Sequence, residues 1–232
     1  MIHEISLFHL AIAFIPAFIA IAIMFSWSQN YKTAIHGVIR MLLQLLIMGY
    51  FLTYIFESDS AWVVILLLST MVLVSSWIAL RTLSNNRGRL YKYVLISILL
   101  SGGIVLALVT QGVLGIEPWY APQYIIPLAG MIFSNAMNSV SLAAERFFAE
   151  LARGVDYIDA RNVSFQAALI PITNSLFAVG IVSLPGMMTG QILSGVSPLI
   201  AVRYQIMVMS MLFGASAISV ACFLIFMQRE KG

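Results

Sequence analysis

Two asparagines on one predicted helix face are the side chains in this sequence best placed to do chemistry. Asn135 and Asn138 are three positions apart and Met131 lies one turn earlier, so the three residues share one face of a helix. Because an amide that faces lipid is costly, we expect this face to contact either other helices or a water-filled substrate path. Amide oxygens and thioethers can accompany a cation without trapping it, since tight metal sites usually include a carboxylate, an imidazole or a thiolate.

A third amide, Gln44, lies in another apolar stretch, one helical turn after Arg40. Arg40 can extend its long side chain to the cytoplasmic headgroups. Gln44 is deeper and needs a partner inside the protein. We therefore include Gln44 among the candidate residues of a substrate path.

The longest charge-free run, residues 162–202, contains a predicted helix break. As one helix, its 41 residues would extend about 60 Å, about twice the hydrocarbon thickness of a bilayer. Pro185 lacks a backbone N–H and Gly186 is conformationally permissive, so the run is expected to turn there. Irregular backbone at membrane depth persists only where protein or a wet cavity covers it. We therefore expect residues 180–203 to form a broken or re-entrant segment or an external helix.

Two methionines accompany this helix break. Gly186 and Gly190 are four positions apart, a spacing of small residues that permits close contact between helices. Met187 and Met188 lie between the two glycines and are further candidates for the substrate path.

The composition is that of an integral membrane protein, with 61% hydrophobic and 9% charged residues. Seven charge-free stretches can each supply about 20 mostly apolar residues for a crossing. They are residues 5–31, 41–56, 60–80, 93–116, 118–144, 162–202 and 204–228. The sequence therefore predicts an all-α, polytopic membrane protein with about seven transmembrane helices, in a single transmembrane domain over residues 1–232.

The charged residues predict the orientation in the membrane. Seven crossings place 11 of the 12 basic residues on one side and only Arg203 on the other. The opposite side carries four acids, Glu4, Glu57, Asp59 and Glu117. The positive-inside rule then predicts an outside N-terminus and a cytoplasmic C-terminus. An eight-helix alternative is less consistent, because it moves Arg229 and Lys231 outside. The net charge of +3 reflects this asymmetry and suggests no nucleic-acid partner.

The connection at residues 145–161 carries an apolar stripe. Phe148, Leu151, Val155 and Ile158 are spaced by three, four and three residues among charges of both signs. This pattern predicts an amphipathic cytoplasmic helix. Its stripe either packs under the protein's own helices or receives a partner, and the mixed charges disfavour anchoring on a lipid surface.

Several kinds of chemistry find no support in the sequence. It contains no G-x-x-x-x-G-K-[ST] loop, so nucleotide energy has to come from another subunit. It also contains no H-E-x-x-H motif, no G-x-S-x-G motif and no pair of intramembrane acids, which argues against an enzyme. A proton-driven carrier normally needs buried ionisable groups. The residues alone therefore indicate a transporter-like protein without a cofactor of its own.

Four blocks of sequence resemble the FetB family of ABC transporter permeases. They are PLAGMIFSNAMN at 127–138, ALIPITN at 168–174, GIVSLPGMMTG at 180–190 and AVRYQ at 201–205. The family includes bacterial iron-export membrane subunits and related plant aluminium-tolerance proteins. The likeness extends over essentially the whole chain, including Arg40 and Gln44, and the SLPGMM sequence is its most specific part.

The resemblance implies a homodimeric permease that pairs with a separate ATP-binding subunit, which binds the ATP. The complex would export iron or another metal ion from the cytosol through the plasma membrane or bacterial inner membrane; the metal ligands stay unassigned. Family members have a longer connection before the 168–174 block, and here the apolar stripe is the remaining candidate for coupling to the ATPase. Two alternatives are open: a non-transporting membrane anchor or regulatory subunit for an ATPase, and an organic-solute ABC permease.

Overall fold

The computed structural model describes residues 6–57, 60–83 and 87–231, and these residues form nine α-helices. The helices are α1 (Leu7–Ile12), α2 (Ile15–Ser26), α3 (Tyr31–Phe56), α4 (Ala61–Ala79), α5 (Arg87–Ala107), α6 (Pro122–Ala152), α7 (Tyr157–Ala178), α8 (Gly186–Leu193) and α9 (Pro198–Lys231). A π-helical segment, Leu108–Val113, continues α5. Within the described ranges the chain contains no β-strand, only an isolated bridge between Val179 and Ser183. The all-α prediction is confirmed.

In the part of the chain that the structure describes, six helical stretches are long and apolar enough to cross a membrane. They are Leu7–Ser26, Tyr31–Phe56, Ala61–Ala79, Arg87–Val113, Pro122–Ala152 and Pro198–Gln228. They coincide with six of the seven predicted crossings and confirm a multi-pass membrane protein. The seventh crossing falls on α7, which has 22 residues but a more polar sequence, so it stays a prediction. The orientation also stays a prediction, and two of the acids behind it, Glu4 and Asp59, lie outside the described residues.

The chain divides into two compact units, Met1–Ser58 and Asp59–Gly232. The first unit contains α1 to α3, and in it α2 packs against α3. Most of its apolar side chains are exposed, as is common for surfaces that meet lipid. The second unit contains α4 to α9 and nearly all of the buried core.

Helix α6 is the centre of the second unit, where it packs against α4, α5, α7 and α9. Ala129, Ala136 and Ala143 are fully buried and recur every seven residues along it. Small side chains at this spacing let neighbouring helices approach closely along one seam. The polar residues of α6 are therefore held on a helix whose opposite face is fixed by packing.

Residues 145–161 do not form one helix, so that prediction is wrong. The last turns of α6 extend to Ala152, and α7 begins at Tyr157. Gly154 lies in the turn between them with φ +82°, a left-handed conformation that favours glycine. Asp156 then caps α7, because its carboxylate accepts a 2.8 Å hydrogen bond from the Asp159 backbone N–H. We call this helix–turn–helix the α6–α7 corner.

Candidate substrate site

The break in the long uncharged run consists of two turns separated by α8. Residues 179–185 form the first turn, in which the Gly180 N–H donates to the Ser183 carbonyl at 2.9 Å. Gly180 and Gly195 have φ +86° and +92°, so each turn contains one left-handed glycine. Pro185 is the N-cap of α8 and Gly186 is its first residue. The reversal thus begins earlier than Pro185, and α9 starts at Pro198 rather than near residue 204.

A cavity of about 410 Å³ lies between the C-terminal end of α7, α8 and the first half of α9. Ten residues line this cavity and none of them is charged. Most of the lining is aliphatic, and Met188 and Met209 add two thioethers. The polar side chains in the lining are Gln205 and Ser210. We call this space the α8–α9 cavity.

Gln205 is the unusual residue of the α8–α9 cavity. It is only 5% exposed, and its Oε1 atom accepts no hydrogen bond from the described part of the chain. Leaving a buried acceptor without a donor costs about 1–3 kcal/mol, so buried polar atoms normally have a partner. The sequence interpretation missed Gln205, although an amide within a predicted crossing is the same signal that selected Gln44.

The predicted amide face of α6 is present, but it lies apart from the lining of the α8–α9 cavity. Asn135 is half-buried, and its Nδ2 donates to the Met131 carbonyl at 3.0 Å. This N–H group is therefore satisfied within its own helix rather than by a neighbouring one. Asn138, one turn further along, is exposed. Met131, Asn135 and Asn138 share one side of α6, and their role in a substrate path stays a prediction.

The structure separates the other predicted path residues. Met188 lines the α8–α9 cavity, whereas Met187 is half-buried against the core of the second unit. Gln44 is exposed on α3, in the first unit. At Gly186 and Gly190 a Cβ atom would meet no described atom within 4 Å apart from the adjacent residues and the backbone of its own helix. The close helix contact that their spacing permits is therefore not made within the described residues.

The apolar stripe of residues 145–161 is divided by the α6–α7 corner. Phe148, Leu151 and Val155 are partly buried against the core, so this part packs under the protein's own helices. Ile158 remains 57% exposed at the start of α7. The coupling role of the four residues stays a prediction.

A buried acid and a tyrosine fix the α6–α7 corner. Glu150 is 7% exposed, and its Oε1 lies 2.6 Å from Arg146 Nη2 and 3.3 Å from Arg153 Nη1. The Tyr157 hydroxyl donates to the Leu224 carbonyl of α9 at 2.7 Å. Burial raises the pKa of the Tyr157 hydroxyl, and the positive charge of Arg161 acts in the opposite direction. The corner is therefore attached to the last helix through a protonated phenol.

A Tyr157→Phe variant is expected to lose about 1 kcal/mol of unfolding free energy, because the Leu224 carbonyl loses a hydrogen bond while the ring remains. Unfolding of the reconstituted protein, followed by tryptophan fluorescence, measures this loss. Tyr124→Phe is the matched control, since Tyr124 is 50% exposed on α6. Equal stability of the two variants would contradict a stabilising role for the Tyr157 hydrogen bond.

These helices, spans and packing define a polytopic, α-helical membrane protein. The chain belongs to the uncharacterised protein family UPF0014, whose profile matches residues 7–163 and 157–231.

Three relatives illustrate the breadth of this family. The chain is 35% identical to the probable iron export permease protein FetB of Escherichia coli over 243 aligned residues, which cover 96% of this chain and 91% of FetB. It is 35% identical to a UPF0014 membrane protein of Synechocystis over 195 residues, with 78% and 75% coverage. It is 33% identical to the protein ALUMINUM SENSITIVE 3 of Arabidopsis thaliana over 221 residues, with 87% and 79% coverage. No solved structure matches the chain.

Two comparisons bear on the length of the connection that precedes the 168–174 block. The family profile matches in two parts that meet at residues 157–163, the start of α7. The FetB alignment has 243 positions but contains 96% of the 232 residues, about 223, so about 20 of its positions have no counterpart here. The division of the profile match agrees with the shorter connection that the sequence blocks indicate, and that connection stays a prediction.

Proposed function

We propose that this chain is the permease subunit of an ABC transporter that exports iron or another metal ion from the cytosol. A separate subunit binds and hydrolyses ATP, and two permease copies form the membrane part of the transporter. The observation that carries this proposal is the 35% identity to the probable iron export permease FetB over 96% of the chain.

The side chains of the second unit are compatible with release rather than storage of a metal ion. Among the described residues, no group of three or more His, Cys, Asp or Glu side chains could hold a metal ion. Neutral amide and thioether groups remain, with Met131, Asn135 and Asn138 on one side of α6. Such ligands bind a passing cation weakly, which suits a permease whose substrate must leave again. We therefore assign the metal path to this face of α6.

The α6–α7 corner supports a partner on the predicted cytoplasmic side. Ile158 is exposed there, and the Glu150 ion pairs hold the turn that presents it. We propose that the ATP-binding subunit contacts this corner. Movement of the corner would then reach α9 through the hydrogen bond from Tyr157 to Leu224.

Radioactive iron efflux tests the proposal. Cells that express the chain with its ATP-binding subunit are loaded with iron, and we expect faster, ATP-dependent efflux than in cells without the chain. Replacing both Asn135 and Asn138 by Leu should reduce the efflux rate at least about tenfold, equivalent to 1.4 kcal/mol. Thr70→Val is the control, because Thr70 is exposed on α4 and its hydroxyl donates to the Leu66 carbonyl of its own helix at 2.9 Å.

The alternatives predict different results. Equal efflux with and without the chain would remove the export proposal. Loss of assembly in the double asparagine variant would instead show that the two amides hold helices together. Binding of the ATPase without substrate-stimulated turnover would indicate a membrane anchor, a result that the shortened α6–α7 corner would explain. Flux of a sugar or a thiol in the same assay would indicate an organic-solute permease.

A further inference from the structure

We propose that the α8–α9 cavity binds a small uncharged molecule with an apolar body and one hydroxyl group. This inference goes beyond metal export, because it concerns a site whose lining differs from the amide face of α6. It also stands independently of the export proposal, since binding can be measured without transport.

The unpaired amide of Gln205 gives the cavity its polar specificity. Its Oε1 is buried, has no donor among the described residues, and belongs to a residue that lines the cavity. Oε1 itself has almost no accessible surface, so the amide has to turn about its last side-chain bond towards the cavity that Gln205 lines. A ligand hydroxyl would then supply the missing donor and recover the free energy that the unpaired acceptor costs. Because α9 is continuous from Pro198 onward, only the end of the side chain moves, and the backbone that carries it is already ordered.

The remaining lining determines the body of the ligand. Leu176, Val179 and Val202 contribute aliphatic surface, and Met188 and Met209 contribute flexible thioethers. Methionine side chains adapt to irregular apolar shapes. A volume of about 410 Å³ falls within the range of about 300–1,000 Å³ that is usual for pockets that bind small molecules. The cavity is therefore matched to a compact aromatic or aliphatic group.

A metal ion or a charged solute is poorly matched to this cavity. No lining residue carries a charge, and an ion stripped of water in apolar surroundings is strongly destabilised unless an opposite charge compensates it. The nearest charge along the helix is the exposed cation Arg203, which repels other cations. Iron and similar hard cations are therefore excluded, and the two thioethers leave only a soft cation as the competing occupant.

Two aromatic probes of similar shape test the proposal. The purified chain in lipid nanodiscs is titrated with 1-naphthol and with 1-methylnaphthalene, and empty nanodiscs correct for partition into lipid. We expect 1-naphthol to bind about tenfold more tightly, the effect of one hydrogen bond to a buried acceptor. Gln205→Met keeps the side-chain length but removes the acceptor, and should abolish this preference without weakening the binding of 1-methylnaphthalene.

Gln191→Met is the matched control. The Gln191 Oε1 atom is also buried without a partner in the described residues, but Gln191 on α8 does not line the α8–α9 cavity. This variant should retain the tenfold preference for 1-naphthol. Size-exclusion chromatography confirms that each variant is assembled.

Three results would overturn the proposal: no saturable binding of either probe, equal binding of both probes by the unmodified chain, or an unchanged preference in Gln205→Met. Silver ions that displace 1-naphthol, with the displacement lost in Met188→Leu, would show a soft-cation site instead. If Gln205→Met does not assemble, Leu184→Phe is used, because Leu184 lines the cavity from the exposed turn. It must weaken binding of both probes at least tenfold, and unaltered binding would place the site elsewhere.

Discussion

Gly102→Ala is expected to lose about 1–3 kcal/mol of unfolding free energy, the usual cost of overfilling a packed core. A Cβ atom at position 102 would lie 2.6 Å from Cε1 and 2.8 Å from Cδ1 of Phe133, and 3.3 Å from Cγ2 of Ile132. Phe133 is 4% exposed and Ile132 is fully buried, so neither side chain can move away freely. Glycine at this position therefore sets the distance between α5 and α6, and thereby the position of the amide face.

Gly103→Ala provides the control for this prediction. It changes the same residue type on the next position of α5, and no atom lies within 4 Å of its Cβ position. We expect this variant to be as stable as the unmodified chain or up to about 1 kcal/mol more stable, because alanine favours a helix interior over glycine. Unfolding in mixed detergent micelles compares the two variants, and Phe133→Leu should partly rescue Gly102→Ala. Equal stability of the two alanine variants would show that α5 and α6 are not in close contact at Gly102.

Removal of both arginines around Glu150 is the second variant with a large expected effect. In an Arg146→Ala, Arg153→Ala double variant, a carboxylate with only 9% exposure of its side chain would lose both cationic partners. The two arginine side chains are themselves 45% and 67% exposed, so the expected loss is that of leaving a buried acceptor unpaired, about 1–3 kcal/mol. We expect the α6–α7 corner to open, and proteolysis between Ala152 and Tyr157 to become faster.

Adding Glu150→Gln to that double variant separates charge from packing. The triple variant has no buried charge, so it should regain most of the lost stability and resist the protease again. If the triple variant is as unstable as the double variant, the arginines stabilise the corner through packing of their side-chain stems instead. The same unfolding and proteolysis measurements decide between the two outcomes.

The transmembrane helices were readable from the sequence because the bilayer excludes charges over a fixed length. The charge-free stretch 60–80 became α4 at Ala61–Ala79, and the stretch 41–56 became the second half of α3 at Tyr31–Phe56. In the latter case Lys32 and Arg40 lie within the helix, since helix formation continues beyond the apolar part. The apolar pattern therefore predicts where a helix crosses lipid better than where it begins.

The α6–α7 corner shows why local periodicity failed. Phe148, Leu151 and Val155 follow helical spacing, but the spacing continues across a turn that Gly154 and Asp156 mark. Those two residues are ordinary signals for the end and the start of a helix. Only the part of the stripe before α7 packs on the core, whereas Ile158 at the start of α7 is exposed. Periodicity alone does not distinguish one amphipathic helix from two helix ends that share a core.

The α8–α9 cavity depended on information that a sequence pattern does not contain. Met188 was a candidate because it lies between Gly186 and Gly190 at the predicted helix break, and it does line the cavity. Gln205 and Met209 became relevant only once α7, α8 and α9 were packed together. The significance of an amide in a membrane protein depends on which neighbours remain unable to bond to it, and this is a tertiary property.

Helix α9 is one unbroken helix that connects the α8–α9 cavity with the α6–α7 corner. Its 34 residues extend about 51 Å without a break, well beyond the hydrocarbon thickness of about 30 Å. Gln205 lies near one end of α9, and Leu224 accepts the Tyr157 hydrogen bond about 28 Å further along the same helix. A tilt of α9 about its middle moves its two ends in opposite directions. A molecule bound beside Gln205 and a protein bound to the α6–α7 corner would therefore both change the tilt of α9.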